Sequence, residues 1–184
     1  DRDVGDLTPL WPTGVAAAAI ARAHELGCRV TAHVFGEQAV SELVAAGIDG
    51  IEHGTGIDDA TIVLMAEHQV ALVPTMIQRD QFEMYAQSGE DKYPAYARHM
   101  RALYATRLER FAKALEAGVP IYAGTDAGGV LPHGLVGQEI AALAQFSSAE
   151  YALGAGSWRA RAWLGHPSRL RDGAPADLVV FDAD

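Results

Sequence analysis

From residue 12 to residue 129 the sequence switches repeatedly between a helical period and short apolar runs. Pro12 and Thr13 open a helix with apolar positions Ala16, Ala19, Ile20, Ala23 and Leu26, and Gly27 ends it. CRVTAHVFG follows as a buried strand, and residues 37–46 form a short helix with Val40, Leu43 and Val44 on one side. GIDGIEHG is the next strand. DDATIVLMAEHQ is the next helix, with Asp58 or Asp59 as its N-cap, and VALVPT is a third strand closed at Pro74. Residues 76–94 read as a polar, aromatic-bearing loop of the length used for lids and binding loops. A long helix runs from about Pro94 to Ala117, GVPIYAGTDAGG is a fourth strand, and two or three helices come after it. Strand followed by helix, several times over, requires an α/β fold with a parallel sheet, because parallel neighbours need a crossover. The terminal run ADLVVFDAD is a strand of another kind. The turn-rich stretch GHPSRLRDGAP marks the best boundary, giving one domain over residues 1–165 and a linker with a returning strand over residues 166–184.

Composition removes several classes of function. Half of the 184 residues are hydrophobic, so the chain is globular. Lys and Arg total 14 against 24 Asp and Glu, and no dense basic run occurs, which argues against a grip on nucleic acid phosphates. No apolar run approaches a membrane span. Cys28 is the only cysteine, so the chain has neither an intrachain disulfide nor a cysteine-rich zinc site. A cytoplasmic location is favoured, and no N-terminal targeting region is visible. Both ends look cut.

What the strands end on is more informative, because α/β barrels do their chemistry at the C-terminal ends of strands. The first strand ends on His33, the second on His53, the third on Thr75 and the fourth on Thr125 and Asp126. His33 and His53 are 20 residues apart, one strand–helix unit, which puts them on neighbouring strands. Neutral imidazole and carboxylate are common ligands of zinc and related divalent ions. A metal at that edge would lower the pKa of bound water, and a carboxylate touching the water could take its proton. Asp126, followed by Ala127, Gly128 and Gly129, suits that role.

Each residue also has a plainer reading. A single His at a strand end is usually a polar group satisfied by backbone, and Asp after Gly-Thr commonly caps a turn. Three at equivalent strand ends are harder to explain that way. Glu52 neighbours His53 and reads as a structural charge on the opposite face. His133, in LPHG, lies in the loop after the fourth strand and reaches either the mouth or a surface turn. His24, His68, His99 and His166 read as solvated, and Cys28 as a buried or edge thiol. Gln78, Arg79 and Tyr85 sit in the long loop, where contact with substrate competes with simple solvation. GTDAGG lacks the spacing of a phosphate loop.

The ordered set VTAHVFGEQAVSELVAAGIDGIEHGTGID, VALVPTM, YAGTDAGG with PHG, and GAPADLVVFDAD resembles the second half of a metal-dependent amidohydrolase, in the imidazolonepropionase-like and Xaa-Pro dipeptidase-like branch. The resemblance covers nearly the whole chain. It implies the C-terminal half, strands five to eight, of a (β/α)8 TIM barrel, plus the start of a flanking β-sandwich strand. It implies metal ligands at His33, His53 and Asp126, with Asp126 also the general base, and a substrate-binding role for His133. The implied cofactor is a divalent metal, zinc first, as one or two ions in the intact protein. The implied substrate is a small molecule, such as a cyclic amide or N-acyl amino acid, or a dipeptide, with no nucleic acid or membrane partner and a homo-oligomer when intact. Two elements of the family pattern are missing: an H-x-H pair, and a lysine on an earlier strand, since Lys92 and Lys113 are the only lysines. A full barrel needs about 250 residues. The chain therefore reads as part of a longer enzyme, inactive and self-associating by itself. A lactonase or phosphotriesterase-type hydrolase, and a non-catalytic half-barrel used for binding or assembly, are the alternatives.

Overall fold

The computed structural model of the protein describes residues 5–180, except the side chains of Arg79 and Asp80. Three strands form a parallel sheet in the order β1-β2-β3: β1 (Thr31–Val34), β2 (Gly50–His53) and β3 (Ala71–Val73). The helices between them are α2 (Glu37–Ala45) and α3 (Asp59–Glu67), with α1 (Thr13–Glu25) ahead of β1. Thr31, Ala32, His33 and Val34 lie opposite Gly50, Ile51, Glu52 and His53, and Gly50, Ile51 and Glu52 lie opposite Ala71, Leu72 and Val73. The fourth strand of the sequence reading is reduced to a single parallel bridge between Leu72 and Ile121. It is held by Leu72 N–H to the Pro120 carbonyl at 2.8 Å and Tyr122 N–H to the Leu72 carbonyl at 2.9 Å.

The two faces of this sheet differ. Val34, Ile51 and Leu72 share one face and are buried with Val40, Val44, Ile57, Met65, Phe111 and Ile121 in the main core. The other face carries Thr31 and His33, both exposed, Glu52 and Val73, both half-buried, and the small residues Gly50 and Ala71, both buried. Parallel sheets are ordinarily covered on both faces. Here one face of the described chain is packed by helices, and the other is open at Thr31 and His33.

The stretch 76–94 is not a loop. A short 3-10 turn (Met76–Gln78) leads into α4 (Arg79–Gly89), and α5 (Pro94–Glu116) returns against it. Pro94 opens α5, where its missing N–H costs nothing. Phe82 and Ala86 of α4 meet Ala97 and Met100 of α5 in a second apolar cluster, flanked by Leu7, Phe35, Tyr96 and Tyr104. Asp58 is the N-cap of α3, its carboxylate accepting from Thr61 N–H at 2.7 Å. The first helix is less buried than its apolar pattern suggests, with Ile20 its one buried residue. Helices α6 (Val136–Leu143), α7 (Ala149–Ala155) and α8 (Trp158–Trp163) complete the fold. No strand forms over residues 175–180, and the rest of the expected terminal strand, residues 181–184, lies outside the described residues. No helix among the described residues is long and apolar enough to cross a membrane.

Two of the histidines expected to be solvated also meet carboxylates. His24 is exposed, as expected, and pairs with Asp49 at 2.8 Å. His99 sits between Asp6 at 2.8 Å and Glu37 at 2.9 Å; the two acids outweigh its burial and raise its pKa.

Candidate active site

His33 and His53 meet at the C-terminal edge of the sheet, and local backbone geometry is what brings them together. Strand parity puts His33 on the open face with its register partner Glu52, and His53 on the core face with Val34. His53 escapes that parity through a left-handed backbone, φ 66°, in a turn closed by Gly54 N–H to the Glu52 carbonyl at 2.9 Å. Such three-residue turns are rare and strained. The turn needs Gly54 next, which has φ +61° and stands where a Cβ would lie 2.5 Å from Leu72 Cδ1. The result is His33 Nδ1 2.8 Å from His53 Nε2.

The protonation pattern follows from the hydrogen bonds. Thr75 spends its single hydroxyl proton on the Pro74 carbonyl at 2.8 Å. Its oxygen therefore accepts from His53 Nδ1–H at 2.6 Å. His53 Nε2 is left with a lone pair, which accepts from His33 Nδ1–H. Burial first, and the neighbouring His33 second, lower the His53 pKa to about 4, against an opposing pull from Asp126. Burial also lowers that of His33, again opposed by Asp126. Both rings are neutral at pH 7, the form that donates electrons.

Asp126 completes the group. Its Oδ2 lies 3.9 Å from His53 Nε2. Its backbone is left-handed, φ 49°, as is that of Thr75, φ 48°. Gln78, buried in the turn after Thr75, donates from Nε2 to Asp126 Oδ2 and to the Asp126 carbonyl at 3.2 Å. The Phe35 ring packs edge-on to His33 at 4.6 Å and tilted against His53 at 4.7 Å, and Phe82 of α4 stands behind it at 5.1 Å. His133 is exposed and turns back over the loop, its ring beside Gly128, two residues past Asp126.

Some expectations change at this scale. Glu52, on the face opposite His53 by strand parity, shares the side of His33, and burial raises its pKa, with a Thr31 hydrogen bond opposing and Asp126 adding. Gln78 touches the site through Asp126, and Tyr85 is half-buried on α4. The side chain of Arg79 lies outside the described residues. Cys28 is exposed and far back in sequence from its strand's C-terminal end. The pattern reading gave no role to Phe35 or to Thr75 as a partner of His53, since neither type signals chemistry by itself.

The donor chemistry fits a divalent cation: a His53 Nε2 lone pair held by its Thr75 bond, a second neutral imidazole and a carboxylate. As arranged, the imidazoles are hydrogen-bonded to each other, and among the described residues no three His, Cys, Asp or Glu side chains are spaced as a metal cage.

The sequence profile of the amidohydrolase family matches residues 6–184. The chain belongs to the amidohydrolase family. Uncharacterized proteins of Mycobacterium tuberculosis and Mycobacterium bovis are each 54% identical to this amidohydrolase over 185 residues, a match that takes in 100% of this chain and 50% of theirs. The chain thus spans about half the length of the curated relatives it matches. Among solved structures, a prolidase complexed with N-methylphosphonate-L-proline is 25% identical with TM-score 0.77, covering 95% of this chain and 43% of that one. A further amidohydrolase is 28% identical with TM-score 0.73, over 90% and 40% of the two chains. A Xaa-Pro dipeptidase with methionine in its active site shares the fold, with TM-score 0.78 at 24% identity, over 92% and 43%.

Proposed function

We propose that this amidohydrolase chain is the C-terminal half of a (β/α)8 barrel whose intact protein hydrolyses amide or related C–N bonds with the help of a divalent metal, zinc first. The observation that carries the reading is the convergence of His33 Nδ1, His53 Nε2 and Asp126 Oδ2 at one sheet edge, with the His53 lone pair aimed by Thr75. The open face of the sheet supports the barrel, since Thr31, His33, Glu52 and Val73 are the residues a barrel interior would enclose. The prolidase neighbour favours dipeptides over the cyclic amides and N-acyl amino acids of the same chemical class.

His33, His53 and Asp126 would hold the ion. It would supply an electrophile for the carbonyl oxygen and a more acidic water. Asp126 takes a proton from the attacking water and returns it to the leaving nitrogen. Gln78 fixes the carboxylate that does so. Phe35 walls the imidazoles from bulk water on one side, and His133 borders the loop after Asp126. The test is Asp126→Asn in the product of the complete gene, assayed on Xaa-Pro and N-acyl dipeptides after loading with Zn(II) or Co(II). A fall in kcat of about 10²–10⁴ with an unchanged melting curve is expected. Turnover near that of the wild type overturns the role of Asp126.

A further inference from the structure

Glu139 is the only acidic side chain among the described residues that is fully buried, and no step above uses it. It projects from the first turn of α6. Its two oxygens accept from two successive backbone amides, Met76 N–H at 2.8 Å and Ile77 N–H at 2.9 Å. Those amides form the middle of a four-residue turn. The residue before them, Thr75, accepts the His53 Nδ1–H, and the residue after them, Gln78, donates to Asp126. One carboxyl behind the turn thus holds a piece of backbone whose two flanking side chains reach two different members of the site.

A buried carboxyl is a costly way to stabilise a turn, and burial raises the pKa of Glu139 to about 7. What it does provide is geometry. Thr75 is β-branched and left-handed at φ 48°, a conformation that persists only when its surroundings over-determine it. Two hydrogen bonds of fixed direction to the next two amides do that.

We propose that Glu139 is a positioning residue: by gripping the Met76 and Ile77 amides it sets His53 through Thr75 and Asp126 through Gln78. This rests on the reading of His53 and Asp126 as members of the reacting centre. The substitution Glu139→Gln keeps the volume but offers one acceptor in place of two, and Glu139→Ala offers none. Both are made in the product of the complete gene. The first readout is the ¹⁵N NMR signature of the His53 ring in metal-free protein. Wild type shows the single Nδ1–H tautomer, and Glu139→Gln shows a mixture. The second is Co(II) affinity by chelator competition, which falls about 10- to 100-fold in Glu139→Gln. The third is kcat on the substrate found for the wild type, which falls with it.

Should Glu139→Ala fail to fold, the isosteric Gln protein carries the test. A Gln protein with a lowered melting temperature, yet with the wild-type His53 signature and Co(II) affinity, makes Glu139 merely structural and overturns the proposal. A wild type that binds no Co(II) overturns the metal reading instead. The His53 signature then still decides whether Glu139 sets that ring.

Discussion

Three residues with side chains stand in left-handed backbone at the sheet edge: His53, Thr75 and Asp126. A fourth, Gln69, follows α3 where such a conformation ordinarily ends a helix. The first three have no such excuse, and each costs of order 1–3 kcal/mol. Their grouping is what turns a buried imidazole, a hydroxyl and a carboxylate towards one point. Glu139 adds a cost of a different sort, and pH reads it. Its folded pKa, about 7, stands above the ordinary 4.5, so the folded chain holds that proton more tightly than the unfolded one. Its contribution to stability is therefore complete below about 4.5 and is lost as pH rises through about 7. Urea unfolding from pH 5 to pH 8 should show the wild type losing on the order of 2 kcal/mol relative to Glu139→Gln. Parallel pH curves for the two proteins would show that Glu139 binds its proton no more tightly when folded.

At the level of elements, the strands were legible because each is a short apolar run ended by a turn former, and their parallel order follows from the helices between them. His33, His53 and Asp126 could be picked out because they are chemistry-bearing types at equivalent strand ends. Helix α4 was not legible. Phe82 and Ala86 are its two buried side chains among those described, in a polar setting, too thin a stripe to announce a helical period. The turn at His53 was hidden too, because strand parity assigns that ring to the wrong face. Glycines reveal such places only once the backbone is known. A Cβ on Gly56 would fall on the backbone of Phe35, Gly36 and Glu37, whereas one on Gly14 in α1 would meet nothing within 4 Å. Gly56→Ala must therefore move the β1–α2 connection that carries Phe35 against both imidazoles. It should cost about 1–3 kcal/mol, or about 2–4 °C in Tm per kcal/mol. Gly14→Ala should be neutral or slightly stabilising. Equal melting temperatures for the two variants would mean that the β1–α2 connection yields freely.

At the scale of the whole molecule, the unequal faces of the sheet set the behaviour of the 184-residue chain. β1 pairs only with β2 in the described sheet, so its other edge presents unpaired backbone groups. Beside it lies a largely apolar cavity of about 490 Å³, bordered by Leu7, Leu10, Trp11, Ile20, Ala32 and Phe35. Leu10 and Trp11 are 76% and 63% exposed. An open strand edge next to exposed apolar side chains is a template for a second chain. Residues 1–184 produced alone should therefore sediment as a concentration-dependent mixture and bind a hydrophobic dye. The product of the complete gene, with the remaining half of a relative's length in place, should do neither. On the proposed reading activity should follow the same division, since His33, His53 and Asp126 would leave a metal short of ligands unless water or the other half supplies them. If residues 1–184 instead run as a single monomer that unfolds in one sharp transition, the edge of β1 is protected within this chain. The open face would then be a finished surface, and the proposal that another half-barrel covers it would fall.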